Sequence, residues 1–482
     1  MRSNLFLSLL LGTVLSAASA HAGAILFAQG TLTGSAAGAN ADLSGLTGTL
    51  ENGAAANLLG GLGSGLAYAG GNTFVGVPDR GPNAVTYDPA VDNTVSYISR
   101  IQTLDMSLTP NASPGLPFSL TPTLTGTTLL YSTTPLNYGT GAGLGVGSGA
   151  PALNTASKYY FTGRSDNYAP GSSGNPSDAR FDPESVRVSN DGKTVFISDE
   201  YGPYVRQFDR NTGELLKTYT LPSNLNVTTL SPIGQTEIDN NTVGRVANKG
   251  MEGLALTPDG KTLVGIMQAQ LEQDTGANVL RIVTIDVATG ATHEYGYPLT
   301  SGSGVSDIVA INDHQFLVDE RDGKGLGDGS KAKVKQVFQI DISGAVDITN
   351  LSGSAAAAKV VTKSATPFVD LVAALTALGV TTDQIPAKIE GIAFGQDVTY
   401  NGQTYHTLYL ANDNDFVSDV AGPNKFYVFG FQDGDLPGFT AQLFSAVPEP
   451  NSWAMMILGV AGVGGVLRSR RKLGLGATSR AI

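Results

Sequence analysis

The sequence of 482 residues has no cysteine, and only 15% of its residues are charged. The absence of cysteine excludes disulfide scaffolds, thiolate zinc sites, iron–sulfur clusters and a cysteine nucleophile. Positive charge is also scarce, because 29 lysines and arginines stand against 41 aspartates and glutamates, which gives a formal net charge of −12. Nucleic-acid binding needs a basic surface that displaces counterions from phosphate. The composition therefore argues against a nucleic-acid-binding protein.

Histidine is almost as rare, with four residues in the whole chain. Neither a Gly-x-Ser-x-Gly elbow nor a His-Glu-x-x-His zinc motif occurs in the sequence. His293, His314 and His406 lie in turn-like segments, so we interpret them as loop residues. A Ser-His-Asp triad stays geometrically possible, since a triad needs no local motif.

The N-terminus has the three parts of a secretory signal. Arg2 supplies a positive charge, residues 5–11 are apolar, and small residues at 18–20 or 20–22 suit a cleavage site. We predict a signal peptide over residues 1–22 and export of the chain. The alternative is a short buried helix.

The C-terminus contains Val447-Pro448-Glu449-Pro450, an apolar run over residues 453–467 and a basic cluster over residues 468–472. This order resembles the PEP-CTERM sorting signal. The resemblance implies an exosortase-type partner, transient anchoring in the inner membrane through a short transmembrane segment, and removal of the tail. We expect a cell-surface or extracellular protein whose sorting signal spans residues 447–482. The alternative is an ordinary anchor that leaves the protein tethered.

The body between these ends, residues 23–446, consists of short β-rich runs separated by turns of Asn, Asp and Gly. One acid–strand–turn–strand unit recurs around Glu184, Glu252, Asp307 and Glu390, and a weaker copy begins near Ser64. We therefore predict an all-β fold, a β-propeller of six blades, with a degenerate blade over residues 121–160. A β-sandwich array is the alternative. Residues 367–378 have helical periodicity and are expected on a connection between blades.

Polar clusters end the second strand of each unit. Equivalent positions of a propeller lie on a ring at one end, so these clusters and the acids that open the first strands are expected to converge at one mouth of the channel. Crowded carboxylates repel one another, and a hard cation such as Ca²⁺ would relieve that repulsion. The clusters are Asp79-Arg80, Asp199-Glu200, Met267-Gln268, Asp319-Glu320-Arg321 and Asn412-Asp413-Asn414-Asp415.

Several of these motifs, in this order, resemble the phytase-like family, also described as having the esterase-like activity of phytase. The resemblance spans about residues 60–430 and implies a β-propeller with esterase or phosphoesterase activity. The motifs that carry it are Asp79-Arg80-Gly81-Pro82, Phe181-Asp182-Pro183-Glu184-Ser185, Ser198-Asp199-Glu200-Tyr201-Gly202-Pro203, Asn248-Lys249-Gly250-Met251-Glu252-Gly253-Leu254, Asp319-Glu320-Arg321, Lys388-Ile389-Glu390-Gly391-Ile392-Ala393-Phe394 and Asn412-Asp413-Asn414-Asp415.

These motifs and the acidic ring leave two functions open. The first is a secreted hydrolase of small esters or phosphate esters, with Ca²⁺ as a candidate cofactor that lowers the pKa of a bound water. The second is a non-catalytic, Ca²⁺-stabilised extracellular propeller that acts in binding or matrix structure. For the hydrolase, the predicted catalytic residues are Glu184, Glu252, Glu390, Arg80 and Arg321, and the predicted metal ligands are Asp79, Asp199, Glu200, Asp319, Glu320 and Asp413.

Overall fold

The structure, a computed structural model, describes residues 23–35, 38–83, 94–111, 115–141, 149–300 and 302–444. Strands dominate it, and helices occur only as short connecting elements in this part of the chain. In chain order the strands are β1 (Ile25–Leu32), β2 (Gly34–Ser35), β3 (Gly38–Ala39), β4 (Gly65–Tyr68), β5 (Thr73–Val77), β6 (Arg100–Pro110), β7 (Phe118–Leu129), β8 (Tyr131–Ser132), β9 (Tyr159–Tyr160), β10 (Pro183–Val188), β11 (Thr194–Asp199), β12 (Tyr204–Asp209), β13 (Leu215–Thr220), β14 (Met251–Leu256), β15 (Thr262–Met267), β16 (Val279–Asp286), β17 (Thr292–Pro298), β18 (Gly304–Ala310), β19 (Gln315–Arg321), β20 (Lys335–Asp341), β21 (Thr362–Lys363), β22 (Val369–Asp370), β23 (Lys388–Phe394), β24 (Val398–Tyr400), β25 (Gln403–Asp413) and β26 (Asn424–Phe431). The helices are α1 (Gly234–Asn240), α2 (Gly353–Ala357), α3 (Leu371–Ala377) and α4 (Ser418–Ala421), with 3₁₀ turns at Ser223–Leu225 and Glu272–Asp274.

The strands form five antiparallel blades, which we number I to V along the chain. Blade I is β4 to β7, blade II is β10 to β13, blade III is β14 to β17, and blade IV is β18 to β21 with β22 beside β20. Blade V takes β23, β25 and β26 from the C-terminal part and β1 from the N-terminal part. The N-terminal strand β1 thus completes the C-terminal blade V. The two ends of the fold are joined by the antiparallel pairing of β1 with β26.

The innermost strands β4, β10, β14, β18 and β23 pack against one another in a closed ring around the axis. The predicted propeller is confirmed, but the predicted count of six blades is wrong. The segment expected to form the degenerate blade instead supplies β7, which pairs along β6 as the outer strand of blade I. The rest of that segment contributes only the two-residue ladder between β8 and β9. It lacks enough paired strand to build a blade.

Local sequence explains the repeated hairpins. Each inner strand is buried along nearly its whole length, as in β10 and β14, where all six positions are buried. A tight turn then leads to the second strand, and Gly192 and Gly260 occupy positive φ angles of 71° and 74° in two such turns, which only glycine adopts without strain. Buried on both faces, these strands read as continuous apolar runs interrupted by acids.

The predicted helix over residues 367–378 is confirmed in a shorter form as α3, on the connection between blades IV and V. The Asp370 carboxylate caps it by accepting a hydrogen bond from the Ala373 amide. Leu371 and Leu375 are the residues of α3 that enter the core.

The channel is closed at the end formed by the turns between first and second strands, which we call the floor. Residues 432–444, the C-terminal strap, cross this floor after blade V. The Thr440 amide donates to the Ile311 carbonyl over 2.8 Å, and the Gln442 side chain donates to the Val188 carbonyl over 2.8 Å. The Phe444 ring then packs edge-on against Tyr68, with ring centroids 5.6 Å apart. The opposite end of the channel is its mouth.

The predicted signal peptide at residues 1–22 and the predicted sorting tail at residues 447–482 lie outside the described residues. Within the described ranges, no helix has both the length and the apolar character needed to cross a bilayer. The short transmembrane segment expected over residues 453–467 lies outside the described residues.

Candidate active site at the channel mouth

The mouth lies where the inner strands begin and the second strands end. Pro183 pairs with Asp199, Met251 with Met267, and Lys388 with Asp413. In each blade the start of the first strand therefore lies beside the end of the second strand, at one edge of the blade. A cavity of about 410 Å³ opens there. Its lining residues are Asp79, Arg80, Glu184, Glu200, Asn248, Lys249, Glu252, Gln268, Ser303, Gly304, Val305, Arg321, Gly323, Lys388 and Glu390.

A break in strand register turns the acids toward this cavity. In blades II, III and V the ladder between first and second strands shifts at Glu184, Glu252 and Glu390, respectively. Such bulges re-aim a side chain, and they are common next to active sites. Blade I has no acid at this position and no register shift between β4 and β5.

Blade IV departs from the expected repeat. Its register shift spans Ser306 and Asp307, so Ser306 occupies the position of Glu184, and Asp307 lies one residue deeper. The sequence alignment of Asp307 with the three glutamates is therefore wrong by one residue. Asp307 lies below the mouth, where it pairs with Arg187 over 2.9 Å.

Arg321 is the central cation of the mouth. Its Nε donates to the Ser306 hydroxyl over 2.6 Å. Its Nη2 lies 3.3 Å from the Glu252 Oε1 and also forms an ion pair with the Glu390 Oε1. One guanidinium of blade IV thus holds two glutamates from the blades on either side of it, III and V, and those two carboxylates raise the pKa of Arg321 against the effect of its burial.

Glu252 is buried, and burial raises its pKa to about 8, with a further contribution from the Glu390 carboxylate. Its Oε1 accepts a hydrogen bond of 2.7 Å from Gln268. Its Oε2 is buried and accepts no hydrogen bond within the part of the chain that the structure describes. A pKa of about 8 places the proton exchange of this carboxyl group slightly above neutral pH. One of its two oxygens has no hydrogen-bond donor among the described residues.

Glu184 as a whole is only 6% exposed, yet among the described residues its carboxylate takes part in no hydrogen bond and no ion pair. Burial raises its pKa well above the usual range, and the Glu252 carboxylate is the next largest cause. An unpaired carboxylate of this kind is costly to bury. Such groups are common at functional sites.

Arg80 joins two further acids beside Glu184. Its Nη1 lies 2.8 Å from the Asp182 Oδ2 and 3.6 Å from the Glu200 Oε2. Carboxylate oxygens of Asp182, Glu184 and Glu200 lie within 4.8 Å of one another. Three acids against one arginine leave this cluster with an excess of negative charge, so it could hold a cation.

A second acidic group lies at the side of the mouth. Lys388 Nζ contacts the Asp413 Oδ2 at 2.6 Å and the Asp415 Oδ1 at 2.7 Å, and Asp79 completes the group. Burial raises the pKa of Asp79 well above its usual range, and Asp413 adds to the shift. Lys388 already balances part of this charge.

Three residues predicted as metal ligands lie away from the cavity. Asp199 accepts backbone hydrogen bonds from Asp182 and Tyr201 and so holds a turn. Glu320 points to the opposite side of β19, where it accepts a hydrogen bond from the Tyr297 hydroxyl and pairs with Lys363. Asp319 is completely buried below the mouth, and neither of its carboxylate oxygens is hydrogen-bonded.

The structure brings together seven of the predicted site residues in the cavity lining. It also adds residues that sequence reasoning did not assign to the site. Asp182 and Asn248 could have been found, because each precedes a predicted glutamate in one of the motifs, whereas Ser306 gave no such signal. The seven are Asp79, Arg80, Glu184, Glu200, Glu252, Arg321 and Glu390.

Comparison with known families gives two matches. The sequence profile described as "Phytase-like: Esterase-like activity of phytase" matches residues 57–416. The profile of the PEP-CTERM protein-sorting motif matches residues 446–472. The first match covers the channel mouth with all its acids, and the second indicates export and surface sorting.

Individual relatives are more distant. An uncharacterized secreted protein of Arthroderma benhamiae is 33% identical over 135 residues, which cover 24% of this chain and 26% of the relative. Hydrazine synthase of Kuenenia stuttgartiensis is 13% identical, with a TM-score of 0.30 over 78% of this chain and 81% of that one. A gluconolactonase of Xanthomonas campestris is 11% identical, with a TM-score of 0.28 over 76% of this chain and 85% of that one.

Proposed function

This chain belongs to the phytase-like family, described as having the esterase-like activity of phytase, and from that premise we propose that it is an exported hydrolase of ester or phosphate-ester bonds. The proposed active site is the channel mouth. The observation that carries the proposal is the Glu184 carboxylate, which is buried at the cavity with no hydrogen bond or ion pair within the described ranges. Buried polar groups that serve only the fold are usually hydrogen-bonded.

Glu252 supports the proton transfer that hydrolysis needs. A general base works best when its pKa lies near the operating pH, and the pKa of Glu252 is raised to about 8. In the proposed reaction Glu252 takes a proton from the attacking water. Glu184, whose pKa is also raised, protonates the leaving oxygen.

Arg321 supports the charge that develops on the reacting carbonyl or phosphoryl oxygen. It is held in place by Ser306 and by both Glu252 and Glu390, so little reorganisation is needed during the reaction. Arg80 is positioned in the same way by Asp182 and Glu200.

A divalent cation fits the same mouth. Asp182, Glu184 and Glu200 offer oxygens that lie close together, and the unpaired Glu184 is a second reason to place the ion there. An ion bound to Glu184 would displace its proton, so the metal-bound form would replace the general-acid role of Glu184. Bound Ca²⁺ would supply positive charge that polarises a substrate oxygen and lowers the pKa of a coordinated water.

The same cluster favours a second candidate function, a non-catalytic extracellular propeller that Ca²⁺ stabilises. In that case the ion would neutralise the mouth, and the surface would act in binding or matrix structure. The acidic excess around Arg80 supports this function without any need for a reaction.

The deciding experiment is a screen of the purified exported protein on aryl esters and aryl phosphates, with Ca²⁺ and with EDTA. We expect kcat/KM for the preferred ester to rise with pH through about 8, since a general base acts in its ionised form. The Glu252→Gln variant should lose this rise of kcat/KM with pH. The Asp313→Asn variant removes an exposed carboxylate at the floor and should keep it. Absence of turnover on every substrate would leave the non-catalytic function.

A further inference from the structure

The cavity lining has many hydrogen-bond acceptors without donors. The Glu252 Oε2, the Glu390 Oε2 and the Asn248 Oδ1 are all buried and accept no hydrogen bond from the described residues. The Glu184 carboxyl group, described above, adds a further group without a partner among the described residues; when protonated it donates as well as accepts, and a hydroxyl can meet it in either role. These atoms belong to blades II, III and V and to the loop before β14, so they face a common space from several sides.

The cations of the mouth are already engaged. Arg321 contacts two glutamates, and Lys388 contacts two aspartates. Arg80 contacts Asp182 and Glu200. Within the described part of the chain, Lys249 is the cavity-lining cation that makes no ion pair, and it is exposed at the rim. Little positive charge is therefore left for an anionic ligand.

Asn248 adds a second observation at the same place. Its φ angle is +57°, a left-handed conformation that a non-glycine residue adopts only at some cost in free energy. The strained backbone holds an amide whose oxygen has no partner. Strain of this kind is common at ligand-binding sites, where the surrounding structure maintains it.

Buried acceptors without donors favour a ligand that brings O–H groups, because each new hydrogen bond removes a desolvation penalty. A phosphate ester brings acceptors and negative charge instead, and would lie against carboxylates. We propose that the mouth selects a neutral, polyhydroxylated ester, such as an acyl ester of a sugar or polyol, over a phosphate ester. This inference rests on the proposed function and narrows its substrate class.

Three matched compounds test the selection on the exported protein in EDTA. 6-O-Acetylglucose carries the ester and the hydroxyls, cyclohexylmethyl acetate keeps the ester and ring size without hydroxyls, and glucose 6-phosphate replaces acetate with phosphate. We expect kcat/KM for 6-O-acetylglucose to exceed that for cyclohexylmethyl acetate by at least about tenfold, because a site built for hydroxyls rejects an analogue that lacks them. Glucose 6-phosphate should be neither hydrolysed nor inhibitory.

A variant pair ties the selection to the cavity. Asn248→Gly removes the amide and suits the positive φ angle, so it should lower the preference for the hydroxylated ester while the protein stays folded. Asp313→Asn, at the floor, should leave the preference unchanged. An unchanged preference in Asn248→Gly would contradict the assignment of Asn248 to the selection.

Ligand-observed NMR separates this inference from the hydrolase proposal. Suppose that glucose binds in preference to glucose 6-phosphate and that no ester is turned over. This result would contradict the hydrolase proposal and would support the preference of the mouth for neutral, hydroxylated ligands. Tighter binding of glucose 6-phosphate in EDTA would overturn the selection. Phosphate binding that appears only when Ca²⁺ is added would also overturn it, because a cation would then be the occupant of the acidic mouth.

Discussion

Glu184 and Asp307 are both buried acids at the start of inner strands, yet their surroundings differ completely. Asp307 accepts side-chain hydrogen bonds from Ser185 and Arg187, and backbone hydrogen bonds from Leu254, Ile308 and Ile392. Its partner Arg187 also donates to the Leu66 carbonyl. This single ion pair therefore contacts the inner strands of all five blades. Glu184, near the cavity, contacts none of these donors.

The difference separates an acid that holds the fold from one that is available for a ligand. Asp307, with hydrogen bonds from several blades, lies below the mouth and is not among the described residues that line the cavity. Neither carboxylate oxygen of Glu184 receives a hydrogen bond from the described residues, because the bulge in β10 turns this side chain away from the donors that bind Asp307. Depth along the channel, rather than charge alone, thus separates the roles of Glu184 and Asp307.

The largest expected effect is on activity at the mouth. Glu184→Gln keeps the size of the side chain and removes its acid function, so kcat/KM on the preferred ester should fall by about 10²–10⁴-fold, the usual contribution of a general acid or base. Steady-state kinetics with Asp313→Asn as the control measure this. Full activity in Glu184→Gln would remove it from the mechanism.

The reverse effect is expected below the mouth. Asp307→Asn leaves Arg187 without its counterion, and breaking a buried pair in this way costs about 3–5 kcal/mol. The free energy of unfolding, measured by denaturant titration, should drop accordingly. Glu184→Gln should cost much less, because it removes an acid that the fold does not pair. Equal losses in the two variants would contradict the distinction between these acids.

Calcium should act on the mouth and leave the deeper pair unaffected. If the ion binds Asp182, Glu184 and Glu200, a concentration of about 100 times its Kd adds roughly 2.7 kcal/mol to the stability of the folded state. Melting curves with Ca²⁺ and with EDTA should differ in the wild type and in Asp307→Asn, and the difference should shrink in Glu184→Gln. Identical melting curves in EDTA and in excess Ca²⁺ would exclude the ion.

A further effect is expected on the pH dependence of stability. The folded-state pKa of Glu252 is about 8, above its unfolded value of about 4.3, so the folded protein binds this proton more tightly. The contribution of Glu252 to stability is complete below the unfolded pKa and is lost as the pH rises through about 8. Unfolding midpoints at pH 5, 7 and 9 should fall less in Glu252→Gln than in the wild type. A parallel decline in both would assign the effect to other groups.

The amino-acid pattern was enough to predict the propeller, the helix between blades IV and V, and the convergence of Glu184, Glu252 and Glu390 at one end. Repeated hairpins bury their faces only against neighbouring copies, so a regular repeat suffices to predict the architecture. The sorting tail was also predictable, because its motif, apolar run and basic cluster are contiguous in the chain. The number of blades was not predictable from the sequence. A long strand such as β7 can complete a blade although its segment carries no copy of the repeated unit.

The three-dimensional arrangement of the blades decided which acids line the cavity and are available for a ligand. Asp199, Asp319 and Glu320 share their sequence position with residues of the mouth, but strand alternation and depth take them elsewhere. The bulges that turn Glu184 and Glu390 to the cavity depend on the register between two strands, and the one-residue offset of Asp307 has the same origin. Register and the donors that each acid meets are set by packing between blades, which no local pattern encodes.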